Sequence, residues 1–180
     1  VLGIDPSRMR DKTALVWRCG RNVIKVENLD PCADTMYLSR LLFNKIAEKR
    51  PQTVFVDIGG LGCGVFDRLR ELGVIGLTPV NFGDSPDDKD KYFNRRAEMY
   101  GRATEWLANR PAHIADNQEF INQLLMIELE PNATKVQLMS KSKMLYSPDL
   151  ADAFAMTFYE RNSQYYQDKQ AYQNINIQAD

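Results

Sequence analysis

The sequence predicts a layered α/β fold, a central mixed β-sheet flanked by helices, and three features point there. Stretches rich in β-branched and aromatic residues alternate with stretches of helical periodicity along most of the chain. Two short apolar runs, residues 1–5 (VLGID) and 53–57 (TVFVD), read as buried strands, and each ends in an aspartate. With 180 residues, 44% of them hydrophobic, the chain can bury one good core.

The elements follow in order. Residues 1–5 form a strand that stops at Asp5, because Pro6 cannot donate to a ladder. Residues 13–19 and 22–28, separated by Gly20-Arg21, read as a hairpin. Asp34 is an N-cap residue, and after it Leu38, Leu41, Leu42 and Ile46 share a helix face that ends before Pro51. Residues 53–57 give the fourth strand and 58–62 a turn. A helix follows through Val65, Phe66, Leu69 and Leu72, stopped by Gly73. Residues 77–82 read as a fifth strand, and 83–91 as an exposed polar loop.

Residues 94–109 are helical, with Ala97, Tyr100, Ala103 and Leu107 on one face. Asp116 and Glu119 have capping-box spacing at the head of a helix that presents Phe120, Ile121, Leu124 and Leu125. Residues 135–139 are expected as a short strand, and Pro148 opens a final helix. The domain is expected to span residues 1–160. Residues 161–180, polar and rich in Gln, Asn and Tyr, are expected to be a flexible tail. There is no internal repeat. The chain starts within a strand and without Met, so it is expected to be a piece of a longer protein.

Composition narrows the chemistry. The apolar runs are too short for a membrane span. Three cysteines, Cys19, Cys32 and Cys63, are far apart and odd in number, which fits a reducing cytoplasm and excludes a disulfide framework or a CxxC zinc site. With His113 as the one histidine, a metal site must rest on carboxylates, whose oxygens select hard ions such as Mg²⁺ or Mn²⁺. A net charge of −1 lends no support to strong nucleic-acid binding.

Asp5 and Asp57 stand out because a carboxylate at the end of a buried strand is costly unless something neutralises it. Neighbouring strands lie about 4.8 Å apart, close enough for two such acids to share an ion. Asp149 and Asp152, in Ser147-Pro148-Asp149-Leu150-Ala151-Asp152-Ala153, are three apart and share a helix face. Two ions held by such acids can activate a water and stabilise the leaving oxygen of a phosphodiester. Taken singly, each acid has a plainer explanation: a turn or cap for Asp5 and Asp57, a favourable helix first turn for Asp149. Asp152 resists that explanation, because it interrupts an apolar surface. The glycine-rich stretch 59–64 lacks the Lys-Ser/Thr of a P-loop, so it reads as a turn or as room for DNA or metal beside Asp57. Arg8, Arg10, Lys12, Arg95, Arg96, Arg102, Lys141 and Lys143 are cations that could hold phosphates. His113 is read as structural, and Trp17 and Trp106 as core.

Together Gly3-Ile4-Asp5-Pro6-Ser7, Val56-Asp57-Ile58-Gly59-Gly60-Leu61-Gly62 and the Ser147 to Ala153 segment resemble the C-terminal nuclease domain of phage large terminase subunits. The stretch Tyr92-Phe93-Asn94-Arg95-Arg96-Ala97-Glu98-Met99-Tyr100, followed by Glu105-Trp106-Leu107, is similar to that family as well. The resemblance covers about residues 1–160.

It implies an RNase H-like fold related to resolvases and integrases. It further implies a Mg²⁺- or Mn²⁺-dependent endonuclease, with two ions, that cuts concatemeric double-stranded DNA during packaging. By that match Asp5, Asp57 and Asp152 are the catalytic metal ligands, with Asp149 as a further ligand or support. Arg95, Arg96, Lys141 and Lys143 are carried as DNA-contacting residues. Partners would be an N-terminal packaging ATPase, the portal protein and the small terminase subunit, in the host cytoplasm. Two other readings compete: a catalytically silent RNase H-like module that binds DNA or portal protein, and an actin-like kinase or ATPase, for which 180 residues leave no room.

Overall fold

In the computed structural model, residues 1–7 and 11–159 are described, so the expectations for Arg8, Arg10 and the tail at 161–180 lie outside them. The strands are β1 (Leu2–Asp5), β2 (Thr13–Cys19), β3 (Asn22–Leu29), β4 (Val54–Asp57) and β5 (Leu77–Val80). The helices are α1 (Thr35–Lys49), α2 (Gly62–Glu71), α3 (Arg95–Asn109), α4 (Gln118–Leu125) and α5 (Asp149–Met156), with a 3-10 turn at Lys141–Lys143.

The sheet order is β3-β2-β1-β4-β5. β1, β2 and β3 form an antiparallel meander, whereas β4 and β5 run parallel to β1. This is the mixed sheet that the alternation of elements predicted. β1 is paired on both edges and all four of its residues are buried, which is why it reads as a continuous apolar run.

Side chains alternate across each strand, and that alternation builds two cores. Leu2, Ile4, Leu15, Trp17, Val54 and Val56 face α1 and α2, against Leu38, Leu42, Ile46, Val65 and Leu69. Ala14, Val16, Val23, Phe55 and Val80 face the other way, against α3, α4 and α5. Truncating a fully buried side chain such as Leu2 or Ile4 to Ala costs about 2–5 kcal/mol.

Gly3 sits on the α5 side, where an added Cβ would lie 1.9 Å from the Ala153 carbonyl oxygen. The absence of a side chain there brings α5 against β1. Both ends of α5 are satisfied from outside the helix. Buried Gln123 of α4 accepts from the Leu150 and Ala151 amides at 2.7 and 3.2 Å. At the other end Arg18 donates to the Thr157 hydroxyl and carbonyl, its guanidinium 4.3 Å from the Phe158 ring centroid.

Several elements differ from expectation. Residues 135–139 do not form a strand of the sheet. They make isolated bridges to Tyr92 and Leu129, because the excursion folds on itself through Glu130 N to Gln137 O and Met139 N to Glu128 O. α4 is capped by Asn117, whose side chain accepts from Phe120 N, and not by Asp116. A turn held by Asn117 N to Ala115 O delivers Asn117 to the cap position. β5 stops at Val80, since the Asn81 side chain accepts from Gly83 N and turns the chain. Asp34 caps α1 as read, and Asn94, expected as the first helical residue, caps α3. Among the described residues no helix is long and apolar enough to cross a membrane.

Candidate active site

The acids meet because strand register and pleat leave them one place to go. β1 and β4 pair with Ile4 beside Val56, so Asp5 and Asp57 terminate neighbouring parallel strands one step further on. Leu2, Ile4, Val54 and Val56 point to the α1/α2 core, so Asp5 and Asp57 project on the opposite, α5 side. There Asp149 and Asp152 stand in the first turn of α5. Three separate elements thus deliver four carboxylates to one end of the sheet.

Asp152 is the most buried of them, fully shielded from solvent. Its Oδ1 accepts from Arg96 Nε at 3.0 Å and from the Tyr100 hydroxyl at 2.8 Å, both from α3. Its Oδ2 lies 2.6 Å from the Lys141 ammonium, a charge-assisted contact. The same ammonium is 4.0 Å from Asp5 Oδ2, a buried oxygen without a hydrogen bond. Asp57 is held by the Gly59 amide, which donates to its Oδ1 at 2.8 Å. Asp149 accepts from the Ser147 hydroxyl.

Burial pushes the Asp5 carboxyl well above the usual carboxylate range. Lys141 opposes the shift, and repulsion from Asp152, Asp57 and Asp149 adds to it. Burial also raises Asp57, against the Gly59 amide bond and Lys141. Asp149 is raised by burial as well, against its Ser147 bond and Lys141. Lys141 itself is held above its ordinary value: burial works against its charge, but Asp152 and Asp5 outweigh burial. Lys141 is therefore the counter-charge of the acid cluster.

The oxygen-only donor set suits a hard divalent ion. Asp5 Oδ2, buried and without a hydrogen bond, and Asp152 Oδ2, buried with the Lys141 ammonium against it, fit as ligands to one. Among the described residues, however, no three Asp, Glu, His or Cys side chains already form a finished cage for an ion. An ion would have to take the place that the Lys141 ammonium holds.

The predicted cations divide. Lys141 is drawn into the acid cluster and Lys143 lies exposed, within 2.5 Å of Glu130. Arg96 is buried against Asp152. Arg95, expected to face DNA, is instead buried and bound to Glu98, Asp87 and the Ser85 carbonyl, because the carboxylate of Glu98 lies in the core beside it. Arg102 pairs with the same two acids. Lys12 and Asp11 are exposed, as is His113, whose backbone bridges to Asn22. The glycine stretch has a packing reason: a Cβ on Gly62 would lie 1.7 Å from the Asp57 carbonyl oxygen. Trp17 is core as read, and Trp106 packs partly buried on Phe154 and Phe158. Sequence reasoning missed Tyr100 and Gln123. Tyr100 read as one more apolar position of α3, and nothing local marks Gln123 as a cap for a helix 27 residues away.

A five-stranded 3-2-1-4-5 mixed sheet with helices on both faces is the RNase H-like fold of phage terminase nuclease domains. Among solved structures the chain is similar to the nuclease domain of the large terminase subunit gp2 of bacterial virus Sf6. The TM-score is 0.73 at 19% identity, over 89% of this chain and 87% of that one. A mutant of that domain with manganese and β-thujaplicinol gives 0.72 at 20% identity, over 89% and 87%. The large terminase nuclease from thermophilic phage G20c, with bound magnesium, gives 0.68 at 12% identity, over 87% and 78%. At these identities the likeness is one of fold. No protein-family model matches the sequence, and no curated protein matches it significantly.

Proposed function

We propose that the chain is the nuclease domain of a viral DNA-packaging terminase. On this reading it is a Mg²⁺- or Mn²⁺-dependent endodeoxyribonuclease that hydrolyses phosphodiester bonds of concatemeric double-stranded DNA. The observation that carries the reading is the convergence of Asp5, Asp57, Asp149 and Asp152 from three elements, with the buried Asp5 Oδ2 lacking a hydrogen bond and the buried Asp152 Oδ2 met by the Lys141 ammonium. The fold shared with terminase nucleases, among them proteins solved with manganese and magnesium, supports the same conclusion.

Asp5, Asp57 and Asp152 would hold the metal, with Asp149 as a further ligand or support. Two ions there would supply an activated water and neutralise the leaving oxygen. The protein's own part is orientation. Arg96 and Tyr100 fix Asp152 through one oxygen and leave the other to Lys141, while the Gly59 amide aims Asp57. Lys141 balances the acids until an ion replaces it. The N-terminal packaging ATPase, portal protein and small terminase subunit would be the partners, in the host cytoplasm.

The ionic contact of Lys141 with Asp152 and Asp5 favours a second reading, a catalytically silent module that binds DNA or portal protein. Plasmid cutting in Mn²⁺, Mg²⁺ and EDTA, on wild type and Asp57→Ala, separates the two. Metal-dependent cutting that vanishes in the variant is the expected result. A folded wild type that cuts under no metal, or cuts equally in EDTA, overturns the nuclease.

A further inference from the structure

α5 begins without a cap of its own. Its N-cap residue, Pro148, has no side-chain acceptor, and the Ser147 hydroxyl before it donates to Asp149. The amides of Leu150 and Ala151, on residues 1% and 0% exposed, go instead to a single oxygen, Gln123 Oε1 of α4. Gln123 is buried as well, so water is not there to replace it. Two amides left bare in those surroundings would be costly.

Those amides belong to the two residues between Asp149 and Asp152. Carboxylates are drawn to the free amides of a helix's first turn, and here both acids stand in that turn. Neither is used as a cap. Asp149 is engaged by Ser147, and Asp152 by Arg96, Tyr100 and Lys141. A neutral side chain from another helix satisfies the turn in their place. α4 also grips α5 at a second point, where Phe120 packs edge-on against Phe154 with ring centroids 5.5 Å apart. The polar and apolar grips can therefore be altered independently.

We infer that Gln123 is a positioning residue for the metal-binding acids: by capping α5 from α4, it keeps the Asp149 and Asp152 carboxylates from bonding their own helix and leaves them to a divalent ion. The inference rests on the metal-dependent nuclease reading and deepens it by naming a residue that supports the ligands without touching the ion. Loss of such a support characteristically weakens metal affinity and not only stability.

The test is Mn²⁺ binding to the protein without DNA, followed by loss of the free-ion EPR signal. The proteins are wild type, Gln123→Met, Gln123→Glu, Gln123→Asn and Phe120→Leu, each shown to be folded in the cold by circular dichroism. Met fills nearly the same space but offers only a weak sulfur acceptor, Glu keeps an oxygen at the same reach, and Asn falls one carbon short. Gln123→Met and Gln123→Asn should raise the Mn²⁺ Kd roughly tenfold or more, while Gln123→Glu binds at least as tightly as wild type. Phe120→Leu should lower the urea midpoint yet keep the wild-type Kd. In plasmid cutting, Gln123→Met should need more Mn²⁺ for half-maximal rate and recover at saturating Mn²⁺.

A residue that only stabilises the fold would lower the urea midpoint in Gln123→Met and leave its Kd at the wild-type value, and that result overturns the inference. So does a Gln123→Glu that binds as weakly as Gln123→Met, or a Phe120→Leu that loses Mn²⁺ affinity to the same extent. If Gln123→Met does not fold, Gln123→Asn decides, and a wild-type Kd there is the overturning result. The two readings fail differently. A wild type that neither binds Mn²⁺ nor cuts removes the nuclease and this inference with it, whereas a wild type that does both, beside an unaltered Gln123→Met, removes the inference alone.

Discussion

Replacing Asp152 with Ala should unfold the metal-free protein far more readily than replacing Asp57, although both variants should lose cleavage. Asp152 is fully buried and compensates a guanidinium, a phenol and an ammonium, at 3.0, 2.8 and 2.6 Å. Its removal leaves the Arg96 charge buried and unpaired and the Tyr100 hydroxyl without an acceptor, a loss of about 3–5 kcal/mol. For a chain of this size that corresponds to a fall in melting temperature of roughly 6–20 °C. Asp152→Asn keeps the shape and one acceptor but loses the charge-assisted bonds, at about 2 kcal/mol. Asp57 is only partly buried and gives up a single bond from the exposed Gly59 amide, which water can replace, so Asp57→Ala should cost about 1 kcal/mol at most. The assay is urea unfolding in EDTA, followed by circular dichroism and paired with plasmid cutting in Mn²⁺. If Asp152→Ala falls within about 1 kcal/mol of wild type, or Asp57→Ala loses as much as Asp152→Ala, then the linkage of Asp152 to Arg96 and Tyr100 is not what holds α3 to α5.

Three other outcomes are expected. Gly3→Ala sets a methyl group against the Ala153 carbonyl, so it should destabilise by at least about 1–3 kcal/mol in thermal melts and weaken Mn²⁺ binding by moving α5 off β1. A stable Gly3→Ala with unaltered Mn²⁺ titration would contradict the close approach. The Asp5 carboxyl is raised in the fold, so its stabilising contribution is complete below the unfolded carboxylate range and is lost as pH rises toward the folded value. Asp5→Asn should therefore be the more stable protein in EDTA at pH about 7–8, with the gap closing toward pH about 4, and parallel curves would refute this. Arg95→Ala should lower stability by about 1–3 kcal/mol, because Glu98 and Asp87 lose one buried partner but keep Arg102, yet leave the salt dependence of DNA binding unaltered. A reduced salt slope would return Arg95 to the DNA-contacting surface.

Much of the architecture was legible locally. β1 and β4 declared themselves as unbroken apolar runs because both faces of a central strand are covered. Asp34 was readable as a cap because the cap bond lies within three residues of its donor. Reading failed where a bond's partner is remote in sequence or the surroundings decide between two local options. Asp116 and Asn117 are both competent caps, and a backbone turn chose the second. Residues 135–139 have strand-like composition but meet only isolated bridges at Tyr92 and Leu129.

The sequence by itself determined that acids would end two buried strands and open a final helix, since the apolar runs and the helix-starting proline are written in adjacent residues. Only the tertiary structure decided that Arg95 serves the core, that Lys141 stands among the acids, and that Tyr100 and Arg96 hold Asp152 from 52 and 56 residues away. The reason is physical. A charge's role depends on which opposite charge shares its desolvated surroundings, and packing of α3 against α5 sets that pairing, not the pattern within either helix.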